Sequence, residues 1–545
     1  MLRFILIFLT WDTFWVSATS EPVFNCINLD GTIHQCANNV RPSTFSSNLV
    51  AYAKYAQRIN ETGWNELEIV TNRLMDDSIQ AYYAGYLEGK LTKSLIRSSR
   101  YNILQENKNN WCKNVSTFVS DNLEYTISMI EKNVNNQYWQ QVGLMLYQLA
   151  GIDDAIQPHT NGSFVIKPNL NVKPCGVILL NLVTELSDLQ NIMHQQQLEE
   201  RNDRCSALIK LIPNDLLVAH NTWTNYNAMI RLLKKYTFNY QTSVAKSIAM
   251  SSYAGVIYSI DDYYLTSTNM VILETSLENY NKKLYDNVSP KKMLFEFIRN
   301  MVANRLANNG KEWTQYFSKE NGGTYNNQFM IVDYKHLNDD FGLLTVLEQL
   351  PHMIVSSDQT AILRNQTYWP SYNIPFYDII YRESYQDVMY KKYGDFYSYN
   401  RTARAMIFAR DHSKVTNLTA LFYLMRYNDF QHDPLSRCNC SPPNTAEFAI
   451  AARCDLNDPN GIYPIESLSF RPHGAIDVKM TSAKLISQLQ MVAVSGPTNE
   501  NVPTFNWNTT KIKQPHLDQP TEWNFSPVKT DWNANQSFPY FKLDY

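Results

Sequence analysis

Cys205 follows a very polar run, Gln195-Gln196-Gln197-Leu198-Glu199-Glu200-Arg201-Asn202-Asp203-Arg204, and opens an apolar stretch, Cys205-Ser206-Ala207-Leu208-Ile209-Lys210-Leu211-Ile212. A polar run of this kind is exposed and suits proteolytic cutting. A chain cut before Cys205 would give that residue both a thiol and a free α-amine. The α-amine has a reference pKa of about 7.7–8, whereas an amide nitrogen has no useful basicity, so the cut itself creates a base beside a nucleophile. The thiol, at about 8.5 in isolation, is lowered by burial next to cationic groups. On spacing alone, the favoured reading is plainer: a half-buried structural cysteine or a disulfide partner.

The other cysteines are Cys26, Cys36, Cys112, Cys175, Cys438, Cys440 and Cys454. In an oxidising lumen most should pair. Cys26 and Cys36 flank a short segment around Gly31 and suit a pairing across a turn. Cys438, Cys440 and Cys454 with His432 have zinc-ligand residue types, but no paired C-x-x-C spacing, so a disulfide is favoured there. If one cysteine is a working nucleophile, the even count of eight requires a second outside any disulfide.

The compartment is read from the first residues. Arg3 precedes the apolar run Phe4-Ile5-Leu6-Ile7-Phe8-Leu9, and the small residues Ser17-Ala18-Thr19-Ser20 follow. This predicts a secretory signal over residues 1–20. No later run approaches the ~20 apolar residues of a membrane span, so the mature chain is expected to be soluble. Sequons at Asn60, Asn114, Asn161, Asn365, Asn400 and Asn417 predict N-linked glycans and a secreted or lysosomal protein. Across 545 residues, 44% are apolar and 18% charged, which excludes a disordered chain. The 48 basic against 51 acidic residues give a net charge of −3, which argues against nucleic-acid binding through phosphate neutralisation.

The elements that must position Cys205 read as follows. Residues 46–99 carry a mostly helical pattern with Gly63, Gly85 and Gly89 as breaks, and 114–149 is helical. A Pro-, Gly- and Asn-rich stretch over 151–176 reads as a linker, followed by a second helical stretch over 179–201. Residues 205–212 and 216–220 are strands joined by Pro213-Asn214-Asp215 turn chemistry, a β-hairpin that starts at Cys205. Further strands are expected at 269–275 and 328–334, with an amphipathic helix over 291–309 stopped by Gly310. Antiparallel strands among long helices imply an α+β layered fold.

Several blocks carry a family resemblance. Cys205-Ser206-Ala207-Leu208-Ile209-Lys210, Asp215 through His220-Asn221-Thr222-Trp223, and Asn321-Gly322-Gly323-Thr324 through Asp333-Tyr334-Lys335 resemble the phospholipase B-like proteins, the laminin-ancestor family. So do Trp369-Pro370-Ser371-Tyr372-Asn373-Ile374-Pro375-Phe376, Arg426 through His432-Asp433-Pro434, His473-Gly474-Ala475-Ile476-Asp477-Val478-Lys479 and Ser526-Pro527-Val528-Lys529. The blocks span nearly all of the chain from Cys205 onward. Arg204 before the nucleophile, and Ser276 where a second Thr is common after Thr275, depart from the family pattern. The resemblance implies a four-layer αββα sandwich of N-terminal-nucleophile hydrolase type, made as a precursor. It also implies a signal peptide over 1–20, a fragment over 21–204 and a nucleophile-bearing fragment over 205–545, the two staying associated.

The chemistry then assigns roles. Cys205 Sγ attacks an acyl carbonyl to form a thioester, and its α-amine shuttles the proton. An oxyanion needs donors aimed at it, and Asn373 suits this because an amide NH₂ donates without titrating. His220 ends the partner strand and is expected beside Cys205. Trp223 is expected to wall the pocket and Thr275 to orient the amine. Arg404 is expected to lower the thiol pKa or hold a phosphate. Asn326 and Asn327 are read as turn supports. The implied activity is removal of fatty acyl chains from glycerophospholipids, with no cofactor or metal. An amidase on N-acyl substrates, or a non-catalytic lipid- or protein-binding glycoprotein, are the alternatives.

Overall fold

A computed structural model describes residues 21–37, 45–106, 108–157, 167–193 and 204–544. The expected signal, the Asn161 sequon and the polar run 194–203 lie outside the described residues.

Two large sheets carry the site. The first has eleven strands. Its middle is built from Asn65–Thr71 (β1), Leu232–Thr237 (β4) and Met270–Ser276 (β5) with the strands between and beside them. The second has seven, among them Arg204–Ile212 (β2), Asp215–Asn225 (β3) and Tyr368–Ser371 (β6), with β2 between β3 and β6. The β2–β3 hairpin forms where the apolar runs predict it. Pro213 presets one turn dihedral, and Asn214 takes the left-handed conformation (φ 64°) that Asn tolerates better than most residues.

Side chains alternate across a strand, so each sheet buries two faces. Ala207, Ile209 and Val218 from the hairpin pack against Leu233, Val271, Leu273 and Met330 of the eleven-stranded sheet, so the two sheets meet face to face. On its other face, that sheet packs Leu67, Ile69 and Ile272 against three helices, Asp77–Leu91 (α1), Gln137–Ile156 (α2) and Glu296–Leu306 (α3). Leu208, Leu217 and Ala219, on the hairpin's outer face, pack against Ala403–Asp411 (α4) and Leu418–Met425 (α5). The fold is mixed α+β with large sheets.

The proposed cut does not separate independent domains. β1, before Cys205, pairs in parallel with β4, after it. Lys234 Nζ on β4 reaches Glu88 Oε1 on α1 at 2.7 Å with both side chains fully buried.

Some sequence expectations change. Residues 46–99 hold two strands, Leu49–Ala56 and β1, before the first long helix. Their apolar residues are buried on both faces, which hides the period-2 signal. Gly85 and Gly89 lie inside α1 rather than breaking it. α1 and α2 cross so closely that a Cβ at Gly85 would collide with the carbonyl of Gln148. The helix expected over 291–309 is α3, shorter and buried all round, and Gly310 begins the next helix, Gly310–Phe317, under an Asn309 cap. Asn309 Oδ1 accepts from Glu312 N there, so the sequence cue marked a start, not a stop.

Candidate active site

The hairpin register sets Cys205 opposite Thr222 and Ala207 opposite His220. These residues face the eleven-stranded sheet, while Arg204, Ser206 and Trp223 face outward. Cys205 is 2% exposed. The cysteine pairs are Cys26–Cys36, Cys112–Cys175 and Cys438–Cys440, and among the described residues Cys205 and Cys454 form no disulfide. The zinc reading around His432 does not hold: Cys438 and Cys440 pair with each other, and His432 is exposed and bonded to Asp429.

Ligand atoms of Cys205, His220 and Asp262 lie within 4.8 Å of one another, and all three residues are buried. His220 Nε2 is 2.8 Å from the Glu274 carbonyl oxygen. A carbonyl only accepts, so Nε2 carries the proton and Nδ1 keeps a lone pair. Burial, reinforced by the Lys479 charge, pushes the His220 pKa well below its usual range, so the ring is neutral. Asp262 adopts a left-handed backbone (φ 57°), and its Oδ2 accepts from Tyr325 Oη at 2.7 Å. Burial raises the Asp262 carboxyl to about 7. Glu274, alongside, is pushed well above the normal carboxyl range by burial and then by the Asp262 charge. The centre therefore holds a neutral imidazole and an Asp262 carboxyl that ionises near neutral pH next to the thiol, with a protonated Glu274 alongside.

Asn373, just beyond β6, binds the Cys205 backbone. Its Oδ1 accepts from Cys205 N at 3.1 Å, while its Nδ2 donates to Ser276 O at 2.8 Å and Ser276 Oγ at 3.2 Å. This differs from the expected oxyanion role. The NH₂ is spent on Ser276, and the atom turned toward Cys205 is an acceptor. Thr275 Oγ1 pairs with Ser371 Oγ at 2.6 Å and accepts from Asn373 N at 3.4 Å, so it backs Asn373. Asn373 itself is left-handed (φ 68°), a conformation that Asn adopts more readily than most side chains.

Arg404 and Trp223 occupy the outer face. Arg404, on the first turn of α4, donates from Nη1 to the Cys205 carbonyl at 2.5 Å and from Nη2 to the Tyr372 carbonyl at 2.8 Å. Its guanidinium lies 4.3 Å from the Trp223 ring centre. Trp223 Nε1 donates to Asn221 Oδ1, the same atom that accepts from Ser206 N. These two residues grip the strand from behind and do not wall the space in front of the thiol. Alternation along β3 explains this, since Trp223 is one residue from Thr222. Burial, then the Arg204 charge, lower the Arg404 pKa to about 9, leaving it charged at neutral pH.

Sequence reasoning missed Asp262, Glu274 and Lys479. The available signals were an acid pair, Asp261-Asp262, directly before an aromatic strand, and a carboxyl inside the apolar run Val271-Ile272-Leu273-Glu274. Lys479 Nζ reaches Thr222 Oγ1 at 2.6 Å and Asp477 Oδ2 at 2.8 Å. Asn326 and Asn327 are buried, and Asn327 Nδ2 donates to the Tyr325 carbonyl, in keeping with turn support. Among the described residues, no helix is long and apolar enough to cross a membrane.

Comparison with known proteins places this geometry in a family. The sequence profile described as Phospholipase B matches residues 51–530. A phospholipase B-like 2 of Rattus norvegicus is 41% identical over 517 residues, covering 90% of this chain and 87% of the relative. A phospholipase B-like 1 of Caenorhabditis elegans is 40% identical, covering 89% and 88%. Phospholipase B-like protein B of Dictyostelium discoideum is 35% identical, covering 90% and 87%. Among solved structures, penicillin V acylase from Agrobacterium tumefaciens aligns with 62% of this chain and 98% of its own at 11% identity and a TM-score of 0.31, too slight a likeness to carry weight. With its profile match running from the first long strand to the last short one, the chain belongs to the phospholipase B family.

Proposed function

We propose that the protein is an N-terminal-nucleophile acyl hydrolase that removes fatty acyl chains from glycerophospholipids after cleavage between Arg204 and Cys205. The architecture read this way is an αββα sandwich formed from a precursor. The observation that carries the reading is the environment of one residue. Cys205 is the second residue of its strand, its backbone nitrogen lies 3.1 Å from an amide oxygen, and its thiol is clustered with a neutral imidazole and a buried carboxyl.

Cleavage turns Cys205 N into an amine, and Asn373 Oδ1 is already placed to hold one of its protons. The amine takes the thiol proton as Sγ bonds to the acyl carbon, then passes it to the departing glyceryl oxygen. Water attacks the thioester, the amine receives the water proton, and the fatty acid leaves as the thiol is restored. In the uncut chain the amide nitrogen has no such basicity, so the neutral His220 Nδ1 is the base for the first cut. Arg204, within 3.7 Å of Glu447, repels Arg404 until the cut releases it. The disulfides fit a secreted or lysosomal setting, and Asn60, Asn365, Asn400 and Asn417 are exposed for glycans.

N-terminal sequencing of the mature protein should find Cys205 at the start of one fragment. Cys205→Ala should yield an uncut chain that releases no fatty acid from phospholipid vesicles. A mature wild type that releases acid only from N-acyl amides would make it an amidase. An uncut wild type without hydrolysis would end the catalytic reading.

A further inference from the structure

We propose that Cys205, His220 and Asp262 form a reversible binding site for a soft divalent transition-metal ion, zinc fitting best, and that occupancy silences the nucleophile. A thiolate, an imidazole and a carboxylate are the donor types that zinc takes in protein sites. Their candidate atoms lie within 4.8 Å of one another, so small side-chain movements bring all three onto one ion. The imidazole is arranged as metal-bound histidines are: the proton on Nε2 goes to a backbone carbonyl, which fixes the tautomer and aims the other nitrogen. That other nitrogen, Nδ1, is buried and has no hydrogen-bond partner among the described residues. The Tyr325 hydroxyl anchors one Asp262 oxygen and so orients the carboxylate.

The nearest cation does not forbid a metal. Lys479 Nζ is paired with both Asp477 oxygens, at 2.9 and 2.8 Å. Glu274 adds a further carboxyl beside Asp262. Cleavage before Cys205 improves the site, because the new α-amine and the thiolate of one residue close a five-membered chelate ring on the ion. As the sulfur–metal bond forms, the thiol proton leaves to solvent; a protonated Asp262 carboxyl, and an ammonium that becomes a ligand, each likewise release one proton.

A second cluster, Glu447, Cys454 and His473, provides an internal control. Its candidate atoms are also within 4.8 Å of one another. There, however, Cys454 Sγ already donates to Glu447 Oε2 at 2.9 Å, and Arg471 Nη2 sits 3.2 Å from the same oxygen. The carboxylate is committed to a cation and a thiol proton, which leaves it a poor metal ligand.

The silencing rests on the hydrolase reading, but the binding does not. The test is a titration of metal-stripped mature protein with Cd²⁺, read by the ultraviolet thiolate-to-metal charge-transfer band, followed by competition with Zn²⁺. One equivalent should generate the band and zinc should remove it. Cys205→Ala should lack the band and Cys454→Ala should keep it. Losing a direct ligand should cost at least what losing a supporting partner costs, so Asp262→Asn and His220→Gln should each bind about tenfold more weakly or worse. Thermal unfolding of each variant separates lost ligation from lost folding. A band that survives Cys205→Ala, or that vanishes in Cys454→Ala, overturns the proposal. So does unchanged binding in both folded ligand variants. Zinc should abolish fatty acid release and a chelator should restore it. Were no release found at all, the titration would still decide the metal site on its own.

Discussion

At the scale of single residues, Asn373 is the pivot. Its side-chain amide donates to Ser276, so that oxygen, not nitrogen, meets Cys205 N, while Thr275 Oγ1 accepts from its backbone N. An acceptor there suits an amine better than an oxyanion, so in the proposed mechanism Asn373 is a positioning residue for the base. Asn373→Asp preserves tolerance of the left-handed backbone and puts an anion where a neutral oxygen stood. A nearby anion stabilises the protonated amine and raises its pKa. The proposed mechanism requires the neutral amine, so the acid limb of the kcat/KM profile should move to higher pH, by about one unit or more. A variant that loses rate with no movement of that limb would show that Asn373 acts only through folding.

At the scale of elements, the α1–α2 pair shows how close packing can look like a break in sequence. Gly85 and Gly151 lie on facing helices, where an added Cβ would meet the backbone carbonyls of Gln148 and Tyr82. An exposed mid-helix Gly→Ala change normally stabilises by up to about 1 kcal/mol. Here overpacking should reverse the sign, and Gly85→Ala should destabilise by about 1–3 kcal/mol. Urea unfolding of the uncut Cys205→Ala chain with and without Gly85→Ala measures this free of cleavage effects. A stabilised double variant would show that the two helices do not touch there.

At the scale of the whole molecule, buried carboxyl groups tie stability to pH. Burial raises Asp262 and Glu348 to about 7 and Glu185 to about 8, and drives Glu274 well above its usual range. In the unfolded chain these groups titrate near 4. Between about pH 4 and 8 the folded state therefore holds more protons than the unfolded one, and stability falls as pH rises. His220 and His412, both lowered by burial, act the other way, because below about 6.5 they charge in the unfolded chain first. Four raised carboxyls outweigh two lowered imidazoles, so the urea midpoint should be higher at pH 5 than at pH 8. That order suits an acidic lumen. Equal midpoints, or the reverse order, would mean that these carboxyls ionise without cost.

Much of the local structure was legible in the chain itself. The apolar runs on either side of Pro213-Asn214 specify the hairpin, because turn chemistry is local. The site was only partly legible. Cys205 and His220 share a hairpin, so their closeness follows from register alone. Glu274 lies on the other sheet and Asp262 just before one of its strands, Tyr263–Thr266, and only the face-to-face packing of two sheets brings them to the thiol. That packing also decided which side of the strand each residue serves: a shift of one position sends Trp223, and with it Arg404, behind the backbone. Burial completed the chemistry, since the same carboxyls and imidazole in water would keep their ordinary pKa values.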